Sequence, residues 1–187
     1  AVRRRFGALA AKNQPALSRP SFIGGGAYRR FVPAVTAALA GRSEFLTPYT
    51  PYQPEISQGT LQAAFEFQSV VCELTGLDAA NAGLYDVASA TAEGCLMAAR
   101  VTGRHAVALL EPFNPNIIDV VRAYAYGTGL RVDLVPSPAG LAPDHACLAV
   151  QQPNYLGTIL DIEPLAAAAH AAGALCLVAA DPLALGL

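Results

Sequence analysis

Three polar residues stand next to predicted structural elements, where their side chains could bind a ligand. Asp181 follows the apolar run 175–179, and its carboxylate could keep a heterocyclic nitrogen protonated or simply cap the next turn. Asn154 follows the apolar run 146–150 and could donate a hydrogen bond to a ring oxygen. Ser89 begins a predicted helix, where it could join backbone N–H groups in binding a phosphate.

The order of these residues along the chain is more informative than any one of them. A helix N-terminus, then Asn, then Asp is the order found in the large domains of fold-type-I enzymes that use pyridoxal phosphate (PLP). In those enzymes a carboxylate beside the pyridine nitrogen lets PLP act as an electron sink. Each residue also has a local explanation, because Asn and Asp are common in turns.

The chain contains a single lysine, Lys12, and its other eleven basic residues are arginines. Arginine stays protonated at neutral pH and cannot form a Schiff base. Lys12 precedes every predicted motif, far in sequence from Asn154 and Asp181. The sequence therefore predicts that this chain does not hold PLP covalently.

A long loop, residues 41–59, is rich in proline and tyrosine and reads GRSEFLTPYTPYQPEISQG. Pro48, Pro51 and Pro54 exclude a helix through this region and disfavour an inner strand. A loop of this length in a compact domain is usually either functional or disordered. Its aromatic residues favour order, so we expect a functional loop.

The remaining sequence predicts alternating helices and strands. Helices are expected at residues 2–12, 31–39, 60–75, 89–101, 117–126 and 164–172, and strands at 105–110, 130–135, 146–150 and 175–179. This alternation predicts a mostly parallel sheet covered on both faces, a three-layer α/β/α arrangement. Polar residues 111–114, 152–154 and 181–182 follow three of the strands, at the edge where open α/β sheets bind ligands.

The composition argues against several other classes of protein. The 187 residues carry a formal net charge of −2, which gives no electrostatic footprint for nucleic acid. No apolar run is long enough to cross a bilayer. The four cysteines and three histidines lack ligand spacing, so no metal site is expected. Cysteines dispersed through apolar segments suit a reducing compartment, and we expect a cytoplasmic location.

Several short strings extend over nearly the whole chain and resemble one family. The most distinctive is TPYQPEISQGTLQ at residues 50–62, and the others are SEF at 43–45, SFIG at 21–24, CELTG at 72–76, YD at 85–86, AE at 92–93 and QQPN at 151–154. They resemble the glycine-cleavage P-protein family, glycine dehydrogenase (decarboxylating). The resemblance is to the N-terminal half, which many bacteria encode as a separate subunit 1.

The resemblance implies a role in glycine decarboxylation. The family removes CO2 from glycine on PLP and passes the aminomethyl group to the lipoyl arm of the H-protein. Its Schiff-base lysine belongs to the C-terminal half, or subunit 2, so no catalytic residue is expected in this chain and no activity from it alone. Ser89, Asn154 and Asp181 would form a degenerate copy of the PLP site. The Pro/Tyr loop would help to build the substrate pocket between the halves, with Tyr49, Thr50, Tyr52, Gln53 and Glu55.

Three residues depart from the family pattern. Val87 follows Tyr85-Asp86 where the family usually has glycine, Arg30 replaces a common histidine, and Leu160 replaces a common acidic residue. A β-branched residue at position 87 would obstruct the close backbone approach that glycine permits. This departure argues against phosphate binding at Ser89.

We expect two regions: residues 1–60, helical and Pro/Tyr-rich, and residues 61–187, an incomplete fold-type-I PLP-transferase-like α/β domain. The chain resembles a fragment, because it starts inside the first helical region and stops shortly after Asp181. Two alternatives stay open. One is another fold-type-I enzyme, such as a cysteine desulfurase or an aminotransferase, and the other is a non-catalytic scaffold for a PLP-bearing partner.

Overall fold

The computed structural model describes residues 1–15, 18–20, 25, 28–47 and 49–186. These residues form two compact units, Ala1–Val32 and Pro33–Leu187. The first contains helix α1 (Val2–Ala10). The SFIG string at 21–24 and Pro48 of the Pro/Tyr loop lie outside the described residues. The region boundary that the sequence suggests at residue 60 falls inside a helix of the second unit and stays a prediction for the complete protein.

The second unit contains six helices and four strands among its described residues. The helices are α2 (Ala34–Ala40), α3 (Ser43–Leu46), α4 (Gln58–Thr75), α5 (Val87–Thr102), α6 (Pro115–Thr128) and α7 (Ile162–Ala171). The strands are β1 (Ala106–Leu110), β2 (Arg131–Val135), β3 (His145–Gln152) and β4 (Leu175–Ala180). Within the part of the chain that the structure describes, no helix is both long and apolar enough to span a membrane.

The predicted helices and strands are all present in the described residues, with small shifts at their ends. One difference is α3, a single helical turn inside the predicted loop. It ends before the first proline of the loop, because a proline inside the helix would clash with a carbonyl oxygen of the preceding turn. Helix α4 ends where expected, at Gly76, whose φ of +70° is the left-handed conformation that glycine adopts without strain.

The four strands form one parallel sheet in the order β2-β1-β3-β4. Alternate residues of β1 point to opposite faces, so that Val107 and Leu109 pack with α5 and α6 while Ala108 and Leu110 pack on the side of α7. Both sets are buried, and full burial of a Val or Leu side chain contributes about 1.5–3 kcal/mol. The prediction of a three-layer α/β fold with a parallel sheet is confirmed.

Helix α5 runs antiparallel to the strands. Its C-terminal end leads into Arg104, whose guanidinium donates hydrogen bonds to the carbonyl oxygens of His145 (2.7 Å), at the start of β3, and of Ala172 (3.1 Å), at the end of α7 just before β4. In mid-helix, a Cβ on Gly94 would lie 2.7 Å from Leu177 Cδ1, so glycine permits the close contact with β4. The N-terminus of α5 therefore lies toward the carboxyl ends of the strands.

A buried histidine holds the opposite, amino-terminal edge of the sheet together. His145 is 2% exposed; its Nε2 lies 2.8 Å from Asp133 Oδ2, and its Nδ1 accepts a 2.8 Å hydrogen bond from the Ala142 N–H. Because Nδ1 accepts a hydrogen bond, Nε2 is the ring nitrogen that donates to Asp133. Ala106 of β1 pairs with His145 on one side and with Arg131 on the other. Because its side chain is small, the side chains of His145 and Asp133 can meet across β1.

Burial alone would raise the pKa of Asp133, but hydrogen bonds from His145 and Arg131 outweigh it and lower the pKa overall. A carboxyl whose pKa is lowered by folding stabilises the fold above its unfolded pKa of about 4, and the stabilisation is lost as the pH falls through the folded value. The stabilisation that Asp133 gives to the amino-terminal edge of the sheet should therefore be lost only in acid, when its carboxylate is protonated.

We predict that Asp133→Ala loosens this edge at neutral pH. The change leaves the Nε2–H of a buried imidazole without its acceptor, which costs about 1–3 kcal/mol. Amides of residues 131–145 should then exchange with solvent roughly five- to a hundredfold faster, as measured by hydrogen–deuterium exchange of the subunit in its natural assembly. The control is Asp144→Ala, which removes an exposed ion pair with the same Arg131 and should have little effect. Equal effects of the two variants would contradict the role of His145.

Candidate functional site

The carboxyl ends of the parallel strands form one edge of the sheet, here called the carboxyl edge. Polar residues that follow three of the strands lie at this edge. β3 and β4 are parallel neighbours with Gln152 opposite Ala180, so Asn154 and Asp181 follow strands that end side by side. The Asp181 N–H donates a 2.8 Å hydrogen bond to the Gln152 carbonyl oxygen, which ties the two strand ends together. The structure thus places Asn154 and Asp181 at one edge, as the alternation of elements predicts.

Asn154 holds its own loop. Its side chain is 5% exposed, and its Oδ1 accepts hydrogen bonds from the N–H groups of Leu156 (3.0 Å) and Thr158 (2.9 Å). The Thr158 carbonyl oxygen in turn accepts a bond from the Asn154 N–H at 2.9 Å. The side-chain oxygen is therefore used to fix the turn that follows β3.

Sequence reasoning missed the structural role of the two glutamines before Asn154. The Gln152 amide makes two hydrogen bonds to the backbone of Leu160, one to its carbonyl oxygen at 2.8 Å and one from its N–H at 2.9 Å. Gln151 Oε1 accepts a 2.8 Å bond from the Asn114 N–H beyond β1. Both side chains are buried. The available signal was that two adjacent amides at the end of a buried strand must find hydrogen-bond partners.

Ser89 lies in the first turn of α5, on the side of the carboxyl edge, and forms a capping box with Asp86. The Asp86 carboxylate accepts bonds from the Ser89 N–H and from its Oγ, both at 2.7 Å, while the Asp86 N–H lies 3.1 Å from Ser89 Oγ. This is the reciprocal arrangement that satisfies two unpaired donors at a helix start. Val87, next to the cap, is 53% exposed.

Asp181 also takes part in a local cap. Its Oδ1 accepts a 3.1 Å hydrogen bond from the Leu183 N–H, in the 3-10 turn Pro182–Gly186. The structure therefore agrees with the interpretation that Asp181 caps the turn that follows it.

A groove of about 880 Å³ lies beside this edge. Most of its lining is apolar, its two charged residues are Asp161 and Glu163, and the described residues that line it include no basic side chain: Thr75, Leu77, Gln152, Ile159, Leu160, Asp161, Ile162, Glu163, Val178, Ala180, Pro182, Ala184 and Leu185. An acidic, otherwise apolar groove does not suit a phosphate group, which carries about −1.5 to −2 charges.

These residues do not fit bound PLP. The amide and hydroxyl of Ser89 are both engaged by a carboxylate that would repel a phosphate. The oxygen of Asn154 accepts hydrogen bonds from two backbone N–H groups, so this side chain is fixed by its own turn. The edge has the residue order of a PLP site but uses these polar atoms to stabilise its own backbone.

The predicted substrate-pocket residues form a separate, exposed segment. Tyr49 and Tyr52 are 85% and 76% exposed, with ring centroids 6.3 Å apart and planes tilted by 48°. The Tyr52 N–H donates to the Thr50 carbonyl oxygen at 2.8 Å, and the Gln53 carbonyl oxygen accepts bonds that begin the turn into α4. Glu55 is exposed as well. The side chains of this segment are open to an incoming partner.

Comparison with known proteins gives consistent results. A family model described as glycine cleavage system P-protein matches residues 1–187. Relatives named probable glycine dehydrogenase (decarboxylating) subunit 1 include that of Exiguobacterium sibiricum, 45% identical over 98% of this chain and 43% of the relative. The relative from Azorhizobium caulinodans is 47% identical over 100% of this chain and 44% of its own length.

A crystal structure of glycine decarboxylase (P-protein) of the glycine cleavage system, in inhibitor-bound form, superposes with a TM-score of 0.88 at 46% identity. It covers 100% of this chain, which spans 44% of that protein. The chain thus spans less than half the length of the relatives it matches. These matches favour the P-protein family over cysteine desulfurases and aminotransferases. The chain belongs to the glycine cleavage system P-protein family.

Proposed function

We propose that this chain is part of subunit 1 of a glycine-decarboxylating P-protein and completes a pocket whose PLP is held by its partner. The observation that carries the proposal is the match, over 95–100% of the chain, to relatives named subunit 1. The partners proposed are subunit 2, or the equivalent C-terminal half, and the lipoylated H-protein, with glycine as substrate. A cytoplasmic location is proposed because these relatives are bacterial and the cysteines are dispersed through apolar segments.

PLP on the partner would supply the electron sink for loss of CO2. Two features support its placement there. The chain's one lysine, Lys12, lies far in sequence from Asn154 and Asp181, and the carboxyl edge of the sheet uses polar groups of Ser89 and Asn154 internally. In this proposal the chain acts on the substrate through the Pro/Tyr loop.

The loop has the side chains that such a role needs. Hydroxyls of Tyr49, Thr50 and Tyr52 and the amide of Gln53 could donate hydrogen bonds to the glycine carboxylate, and Glu55 adds an acceptor. Holding the glycine carboxylate in one orientation, with water excluded, would promote its loss as CO2. Prolines reduce the freedom that the loop would lose on binding.

The competing proposal is a scaffold in which the two tyrosines only pack against the partner. Tyrosine is well suited to this because it buries a large area with little loss of conformational entropy. A removed hydroxyl distinguishes the two, since Phe keeps the packing area.

We predict that Tyr49→Phe and Tyr52→Phe leave assembly intact and lower glycine decarboxylation. A loss of about 1.4–4 kcal/mol of transition-state stabilisation corresponds to a roughly ten- to thousandfold slower reaction. The measurement is exchange of labelled bicarbonate into glycine by the complete enzyme. Tyr126→Phe, which removes the hydroxyl of a 91% exposed tyrosine on α6, is the matched control and should keep the wild-type rate. If both loop variants also keep it, the hydroxyls have no catalytic role.

We also predict that PLP followed by borohydride labels no lysine of this chain in the complete enzyme. No reduced adduct should form on residues 1–187 in amounts stoichiometric with PLP, because Lys12 is their only lysine and lies far in sequence from Asn154 and Asp181. Peptide mass mapping after proteolysis makes the measurement. Stoichiometric reduction onto Lys12 would overturn the assignment of this chain as the subunit without the Schiff-base lysine.

A further inference from the structure

The N-terminus of α5 would be the phosphate-binding end of a PLP site at this edge, yet it already contains a negative charge. The peptide dipoles of a helix favour an anion near its first turn. Here that anion is the Asp86 carboxylate, 2.7 Å from both the N–H and the Oγ of Ser89. Ala88 and Ser89 are buried, so the first turn is fixed in the core while Asp86 faces outward.

The hydrogen bonds from the Ser89 backbone and side chain lower the pKa of Asp86. The carboxylate therefore stays ionised throughout the neutral range. Any second anion arriving at this helix end would meet a like charge within the same turn.

The surroundings repeat this pattern. Asn154 uses its oxygen on the N–H groups of Leu156 and Thr158, and the adjacent groove contains Asp161 and Glu163 with no basic residue in its described lining. The helix start is thus the part of the edge that disfavours a phosphate, while the groove, on the α7 side of the sheet, offers a phosphate no basic side chain in its described lining.

We propose that Asp86 is a built-in anion that closes the carboxyl edge of this sheet to the phosphate group of PLP. The edge keeps the parallel strand order of the family, and at the start of α5 the Asp86 carboxylate takes the N–H and Oγ of Ser89 that an incoming anion would need. The inference rests on the proposed function only in taking PLP as the cofactor of the complete enzyme. Its test measures the protection of backbone amides from exchange and needs no enzymatic activity. The inference about Asp86 and the proposed function can therefore fail separately.

The experiment is hydrogen–deuterium exchange of residues 86–92 in the complete enzyme, with and without millimolar inorganic phosphate. The variant is Asp86→Gly, because glycine at a helix N-cap costs only a few tenths of a kcal/mol relative to a side-chain cap and removes the charge. Asp86→Asn, which keeps the cap geometry and loses only the charge, serves if the glycine variant does not assemble. Asp161→Asn, at the N-cap of α7 where no side-chain cap bond forms, is the matched control for loss of one carboxylate.

We expect phosphate to leave exchange of residues 86–92 unchanged in the wild type and in Asp161→Asn. In the Asp86→Gly variant, or in Asp86→Asn if that variant is used, phosphate should slow the exchange of residues 86–92 by roughly fivefold or more. Protection by phosphate in the wild type would show that the helix end is open and overturn the proposal. Absence of protection in the variant would show that Asp86 is not what closes the edge, and would overturn it equally.

Discussion

The parallel pairing of β3 with β4 is the constraint on which the rest of the structure depends. Six residue pairs in register, from Cys147–Leu175 to Gln152–Ala180, make the two strands end together. Parallel neighbours need a crossover connection, and α7 supplies it while covering the face opposite α5 and α6. The polar residues that follow both strands must then share one edge, whatever their later use.

At that edge, the need to satisfy polar groups decides the chemistry. Buried donors and acceptors left unpaired cost about 1–3 kcal/mol each, so the edge pairs its amides and carboxylates with its own backbone. The result is a well-ordered edge with little left to hold a cofactor. The exposed Tyr49–Gln53 segment differs, because its side chains are turned outward and would find their partners only in an assembly. This division of roles supports the proposal that the subunit contributes a loop to the pocket and that its partner holds the cofactor.

The sequence predicts the architecture well because periodicity and helix-ending glycines such as Gly76 are local signals. It could not decide between capping and ligand binding for Asp181 or Ser89, because that choice depends on which backbone donors lie nearby after folding. The reciprocal bond between Asp86 and Ser89 spans three residues and could have been read as a capping box. The contact between His145 and Asp133 could not, since it crosses β1 and depends on sheet order.

We propose that this chain completes a pocket without holding the cofactor itself. A structure of the complete enzyme, determined with PLP and glycine bound, tests it most directly. We expect the cofactor on the partner's lysine, with side chains from residues 49–55 of this chain within hydrogen-bonding distance of the glycine carboxylate. Cofactor density between Asn154 and Asp181 of this chain, or a Pro/Tyr loop remote from the bound glycine, would contradict it.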